Sequence, residues 1–254
     1  MSPRPTPGPV PEILSEERLA AAEAEAARRS FLRMMSHELR TPLNSIIGFA
    51  DILSSELYGP LGAPQYRDYA RIIGVSGERL LNLVNSALEI IRLEAGTADL
   101  QMTACTLDSA VDDACQIIAP EAEARGVSIA FDPPWPALLV LADGRALRTI
   151  AVNLIQNAVT WSPDRAVVRV GIEADGPVVR LIVTDEGEGV DPADIPRLMR
   201  PFEQGECALS RRSEGAGLGW PLVRLLVKAM GGEFRVESRR GEGLSASVAL
   251  RRAG

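Results

Sequence analysis

The chain has 254 residues, 46% of them hydrophobic, 24% charged and only 4% aromatic, which predicts one large or two modest domains with aliphatic cores. A net charge of −7 with no basic block argues against a nucleic-acid partner, and no apolar run approaches the roughly 18 residues that a membrane span needs. Three widely spaced cysteines (Cys105, Cys115, Cys207) and a single histidine leave no disulfide framework and no zinc-ligand pattern, so a soluble cytoplasmic protein is expected.

Residues 1–11, MSPRPTPGPVP, are too polar and Pro-rich to fold alone and predict a flexible tail rather than a signal peptide. From Glu12 to about Glu56 the pattern is helical, with apolar residues recurring at Leu32, Met35, Leu39, Leu43, Ile46, Ala50, Leu53 and Leu57. The turn signals of YGPLGAP follow. A second helix is predicted from about Gln65 to Glu94, with Tyr69, Ile73, Leu80, Val84, Ala87 and Ile91 on its apolar face. Residues 12–96 therefore read as an antiparallel helical hairpin. One hairpin leaves half of its apolar stripe in water. Pairing two into a four-helix bundle removes that exposure and predicts a homodimer; cover by the other domain is the alternative.

Residues 97–254 change character. A short strand near Gln101–Thr103 precedes a helix from Leu107 to about Arg125, and strands are expected near Val127–Phe131 and Leu138–Leu141. A helix spans Gly144–Val159, and VVRVGIEADGPVVRLIVTDEG reads as a β-hairpin turning at Asp175-Gly176. After a loop-rich stretch to Gly219 come a helix to Met230 and a last hairpin, GEFRVESRRGEGLSASVAL. This order predicts an α/β sandwich with its helices on one face of the sheet, and hence a multidomain α plus α/β chain.

The sole histidine stands in MMSHELRTPL. With Met35, Leu39 and Leu43 facing inward, His37 lies about 200° away from Met35 and points outward. Thr41, four residues on, shares its face, Glu38 adjoins it, and Pro42 loosens the helix just beyond. A solvated surface histidine is the alternative. In NLIQNAV, Asn153 and Asn157 share a helix face, and their amide oxygens suit a Mg²⁺ that also holds phosphate; solvated or capping amides would look the same. Asp185 ends an apolar run, and Gly187 and Gly189 follow it, a pattern that fits a ligand amino group or an acidic turn. Gly215, Gly217 and Gly219 precede a helix whose first N–H groups suit phosphate.

Each motif alone is weak, but together and in this order they are specific. MMSHELRTPLNSIIGFADIL resembles the H-box of bacterial two-component sensor histidine kinases. NLIQNAV resembles the family's N-box, DEGEG its G1 box, RPFEQ its F-box and GAGLG its G2 box. The resemblance covers about Ser30 to Arg251, and YGPLGAPQYRDYARII with the Pro after the G2 box is similar to alphaproteobacterial kinases of the DivJ and PleC kind.

The resemblance implies a dimeric phosphoacceptor (HisKA) hairpin followed by a Bergerat-type (GHKL) ATP-binding domain, with ATP and Mg²⁺ as cofactors. It makes His37 the phosphoacceptor, Glu38 its proton acceptor or tautomer guide, and Thr41 a residue for the reverse, phosphatase reaction. Asn157 matches the metal-binding Asn, with Asn153 as helper to metal or phosphate, and Asp185 matches the adenine-reading Asp. Gly187, Gly189, Gly215, Gly217 and Gly219 shape the pocket and lid, and Phe202 anchors the lid. Arg211 and Arg212 lie in the lid, either facing phosphate or as a solvated pair. The partners implied are a second copy of the chain, the receiver domain of a response regulator, and a sensor or input partner at the N-terminal helix.

Thr160 and Trp161 stand where the family has a basic residue and an aromatic or His. Ala216 stands for a Thr, and Trp220 for a Leu. These departures keep open a different class of function, a phosphotransfer adaptor with a degenerate nucleotide pocket. No sensing segment precedes the first helix, so either the chain is a piece of a longer kinase or its input arrives through a partner on residues 12–30.

Overall fold

The computed structural model describes residues 43–201 and 217–253. His37, Glu38, Thr41 and Pro42 lie outside the described residues, as do Phe202, Arg211, Arg212, Gly215 and Ala216. The chain divides into two units, Met1–Leu88 and Glu89–Gly254.

In the first unit, helix α1 is described over residues 43–54 and helix α2 spans Pro64–Glu94. Pro64 opens α2, where a missing N–H leaves no intrahelical bond unmade. In the connection Glu56 takes φ 53°, a left-handed conformation that its side chain makes tolerable. Its Oε1 accepts from the N–H of Leu61 at 3.2 Å, and its Oε2 pairs with the Arg67 guanidinium at 2.6 Å.

The two helices meet through small residues. Ala70, Gly74 and Gly77 of α2 are buried, with Leu43 and Ala50 of α1 buried as well. A Cβ at Gly77 would stand 2.8 Å from Ile47 Cγ1, and one at Gly74 would stand 3.5 Å from Ala50 Cβ. Helices this close leave no room for large side chains between them. Tyr69, Ile73 and Leu80, expected on the apolar face of α2, are exposed in the single chain. So are Ile46, Phe49, Leu53 and Leu57 in and just after α1.

The second unit contains strands β1 (Thr103–Thr106), β2 (Ser128–Phe131), β3 (Leu139–Ala142), β4 (Val167–Asp175), β5 (Val178–Asp185), β6 (Glu233–Ser238) and β7 (Leu244–Arg251). Its helices are α3 (Leu107–Ala124), α4 (Gly144–Trp161), the short α5 (Ile195–Leu198) and α6 (Gly219–Ala229). The main sheet has the order β2-β4-β5-β7-β6, with β2 parallel to β4 and the other pairs antiparallel. β1 and β3 form a separate antiparallel pair, and β1 begins two residues and ends three residues later than the strand expected at Gln101–Thr103. The β4–β5 hairpin closes with Asp175 opposite Val178, a two-residue loop led by Gly176 at φ 57°.

β5 reads VVRLIVTD and alternates strictly, so Val179, Leu181 and Val183 are buried on the face covered by the helices. Val168 and Val170 of β4 and Ala246 and Val248 of β7 join them, opposite Leu147, Ile150, Leu154 and Ile155 of α4. Helices α3 and α4 run parallel, side by side. Asp113 faces Arg148 at 3.8 Å, Glu121 meets Gln156 at 3.2 Å, and Arg125 meets the Thr160 carbonyl at 3.3 Å, at a constant sequence offset. Helices α2, α3 and α6 end alike: the residue after a glycine bonds back five positions, as Thr97 to Arg92, Val127 to Ala122 and Gly232 to Val227.

The hairpin's close approach has a measurable consequence. Gly77→Val should lower the unfolding free energy by about 1–3 kcal/mol through overpacking against Ile47. Gly48→Ala, with nothing within 4 Å of the added Cβ on an exposed stretch of α1, should raise it by up to about 1 kcal/mol. Denaturant unfolding of the two variants, followed by helical circular dichroism, checks both signs.

Candidate nucleotide-binding site

The strand period decides where Asp185 points. It is the next inward position after Val179, Leu181 and Val183, so its carboxylate enters the space beneath the helices and is 6% exposed. Burial pushes its pKa up from the ordinary 3.8 to about 6, against the N–H groups of Gly187 and Leu244, which pull it down. Oδ1 accepts from the Gly187 N–H at 2.8 Å.

The loop after Asp185 has no space for side chains at its glycines. A Cβ at Gly187 would lie 2.6 Å from the Trp161 carbonyl oxygen and 2.8 Å from Asp185 Oδ1. Gly189 takes φ 63°, and a Cβ there would collide with the Arg239 carbonyl. The loop is thus pressed between the end of α4 and the β6–β7 turn. That turn is a part of the site that sequence reasoning missed. Ser238 Oγ accepts from the Val190 N–H at 2.8 Å and donates to the Gly243 carbonyl at 2.7 Å, while the Gly241 N–H reaches the Glu188 carbonyl at 2.6 Å. Gly243 itself lies against the Asp185 carbonyl. The signal that could have found it is SRRGEG, a turn between alternating strands.

Asn153 and Asn157 are half-buried on α4. Asn153 Nδ2 donates to the Thr149 carbonyl at 2.8 Å, which fixes the amide and leaves Oδ1 as its outward acceptor. The first residue of α6, Gly219, faces both: a Cβ there would stand 2.9 Å from Asn153 Oδ1 and 3.4 Å from Asn157 Nδ2. Near the start of α6, Pro221 has no N–H and the Leu222 N–H bonds the Leu218 carbonyl, so the N–H groups of Gly219 and Trp220 fall in the first turn, whose donors suit an anion. Gly217, at φ 67°, leads into that turn.

The structure therefore brings Asp185, Gly187 and Gly189 together with the end of α4, and Asn153 and Asn157 together with Gly219. At Thr160, where a basic side chain was expected, the Arg125 guanidinium reaches the main-chain carbonyl from α3.

Residues 142–254 match the family of histidine kinase-, DNA gyrase B- and HSP90-like ATPases, and residues 27–96 match the His Kinase A (phospho-acceptor) domain. The chain belongs to the histidine kinases. It is 40% identical over 237 residues to the histidine protein kinase DivJ of Caulobacter vibrioides, covering 93% of this chain and 39% of that protein. It is 37% identical over 239 residues to the Non-motile and phage-resistance protein of the same bacterium, covering 92% of this chain and 28% of the relative. The cell-division control histidine kinase PdhS of Brucella ovis is 39% identical over 246 residues, 90% of this chain and 24% of its own. The chain thus spans less than two-fifths of the length of these relatives.

Among solved structures, full-length ShkA in complex with AMPPNP superposes with a TM-score of 0.73 at 33% identity, over 88% of this chain and 46% of its own. The Acinetobacter baumannii histidine kinase AdeS, at 17% identity and a TM-score of 0.60 over 86% of this chain and 98% of its own, shares the fold. Residues 142–254 are a nucleotide-binding module with the mixed α/β sheet of this family. Asn153 and Asn157 carry neutral amide oxygens, the hard donors that a magnesium ion takes, and the amide atoms nearest Gly219 are Asn153 Oδ1 and Asn157 Nδ2.

A carboxylate held at about 6 makes a stability prediction with a definite sign. Above pH 6 the folded state carries a desolvated charge that the unfolded chain carries in water, so Asp185 costs stability on the order of 2–3 kcal/mol. The folded state binds a proton first as pH falls, and the penalty fades between about 6 and 3.8. Asp185→Asn should therefore be more stable than the parent by that amount at pH 7, with the advantage gone near pH 4. Denaturant unfolding at the two pH values checks it.

Proposed function

We propose that the chain is an ATP-dependent protein histidine kinase that phosphorylates His37 and passes the phosphoryl group to an aspartate of a response regulator's receiver domain. The observation that carries this reading is the buried Asp185 carboxylate. It is closed in by Gly187, Gly189 and the β6–β7 turn, in the same domain as Asn153, Asn157 and Gly219, which lie together at the start of α6. Asp185 accepts a hydrogen bond from the exocyclic amino group of adenine, and the glycines let the base lie against main chain. Asn157, with Asn153 beside it, would hold Mg²⁺, which would supply positive charge against the phosphates. The N–H groups of Gly219 and Trp220 face the phosphates.

In the transfer, a neutral ring nitrogen of His37 attacks the γ-phosphorus, the bond to the bridging oxygen breaks, and ADP leaves with that electron pair. Glu38 accepts the proton from the other ring nitrogen or holds the reactive tautomer. Phosphoryl transfer from N–P to a receiver carboxylate restores the imidazole, and Thr41 orients water in the opposing dephosphorylation of the partner. Phe202, Arg211, Arg212, Gly215 and Gly217 belong to the lid over the nucleotide. An amide at 153 cannot act as the base for water, which favours transfer over hydrolysis.

The chain acts as a homodimer in this reading. Phe49, Leu53, Tyr69, Ile73 and Leu80 are exposed in the single chain, and a second hairpin covers them. Among the described residues no helix is long and apolar enough to cross a membrane, and a cytoplasmic catalytic region fits the chemistry. Residues 12–96 form the phosphoacceptor hairpin and residues 97–254 the ATP-binding domain.

The test uses the sole histidine. The chain incubated with Mg²⁺ and γ-labelled ATP should take up acid-labile label, His37→Ala should take up none, and Asn157→Ala should lower the rate at least tenfold. Nucleotide binding without label would point to a net phosphatase. Absence of both binding and label would establish the adaptor with a dead pocket.

A further inference from the structure

Among the described residues two carboxylates are buried, Asp185 and Asp143, and the chemistry above uses only the first. Asp143 is 3% exposed and stands at the N-cap of α4. Its Oδ1 accepts from the N–H groups of Arg145 at 2.9 Å and Ala146 at 3.0 Å, in the first turn of α4. That bond pair alone completes the cap. Its Oδ2 does something a cap does not require. It accepts from the main-chain N–H of Gln101 at 2.8 Å, across 42 residues of sequence.

Gln101 lies in the short stretch between the end of α2 and the start of β1, and the β1–β3 register, Thr103 opposite Ala142, brings that stretch beside Asp143. Burial pushes the Asp143 carboxyl upward, but the N–H groups of Ala146, Gln101 and Arg145 and the Arg145 guanidinium outweigh it and hold it below 3.8. It stays ionised, and charge-assisted bonds of this kind are the strong ones.

The middle and last turns of the same helix carry Asn153 and Asn157, the residues assigned above to nucleotide. Asn153 stands about 15 Å along the axis from Asp143, and Asn157 about 21 Å. The helix is packed on α3 along its length, so a displacement at its start is carried to the amides.

We propose that Asp143 is a positioning residue that fastens the segment arriving from α2 to the start of α4, and so couples the placement of that segment to the affinity for Mg–nucleotide. The coupling is reciprocal: whatever holds Gln101 in place favours nucleotide, and nucleotide holds Gln101 in place. The inference rests on the nucleotide-binding reading above.

The test uses the full chain and Mg–AMPPNP. Asp143→Asn keeps an oxygen for the cap but turns an amide donor toward the Gln101 N–H. Gln101→Pro removes that N–H and leaves Asp143 and α4 as they are. Each should raise the dissociation constant about fivefold or more, and the double variant should be no weaker than the worse single, because both break one bond. In the unaltered chain, hydrogen exchange at the Gln101 amide should slow severalfold when Mg–AMPPNP binds, a readout that a merely structural cap leaves unchanged. If the unaltered chain binds Mg–AMPPNP and Gln101→Pro binds it equally well, or Gln101 exchange ignores the nucleotide, this inference fails alone. If the unaltered chain does not bind Mg–AMPPNP, the kinase reading fails and the inference with it.

Discussion

The organisation of the catalytic unit depends on one carboxylate placed on the core face of a strand. Alternation along β5 sends Val179, Leu181 and Val183 into the core and then sends Asp185 the same way. A charge in that position is desolvated, and its raised pKa registers the penalty. Such a penalty persists in a native fold where a ligand's donors offset it. The surroundings are consistent with that. Main chain approaches closely at Gly187, Gly189 and Gly243, between the end of α4 and the β6–β7 turn.

A similar rule of space shapes the hairpin. Gly77 and Gly74 let α1 and α2 approach closely, and that approach sends the large apolar residues outward. In a single chain those residues are a liability in water, with phenyl, phenol and branched aliphatic groups exposed on both helices. In an assembly they are the material of a second core. The contact inside one chain and the surface offered to a partner are therefore set by the same small residues.

Local order was readable from sequence because local chemistry determines it. The second helix was expected from Gln65 to Glu94 and is found over Pro64–Glu94, between a proline that starts it and a glycine turn that ends it. The β4–β5 hairpin was legible from two alternating runs around a turn expected at Asp175-Gly176, one residue before the observed Gly176-Pro177 loop. What stayed hidden is non-local. A 3.6-residue rhythm on α2 fits two apolar faces, and Tyr69 and Ala70 lie on different ones; only the partner helix selects the face of small residues. The parallel β2–β4 pair, the distance between Gly219 and the two asparagines, and the bond from Gln101 to Asp143 all join segments far apart in sequence. The kinase motifs name Asn153, Asn157 and Asp185 individually; that Ser238 and Gly243 brace the loop after Asp185 follows only from strand pairing.

The measurement that tests the account most directly asks whether the buried carboxylate reads the base. Affinities for ATP and for purine riboside triphosphate, which lacks the 6-amino group, are to be compared in Mg²⁺ at pH 7.5 by titration calorimetry, with Asp185→Asn alongside. The account predicts that the unaltered chain prefers ATP by about tenfold or more, as expected when a buried acceptor loses its donor, and that Asp185→Asn largely loses this preference. Equal affinity of the unaltered chain for the two nucleotides would contradict it.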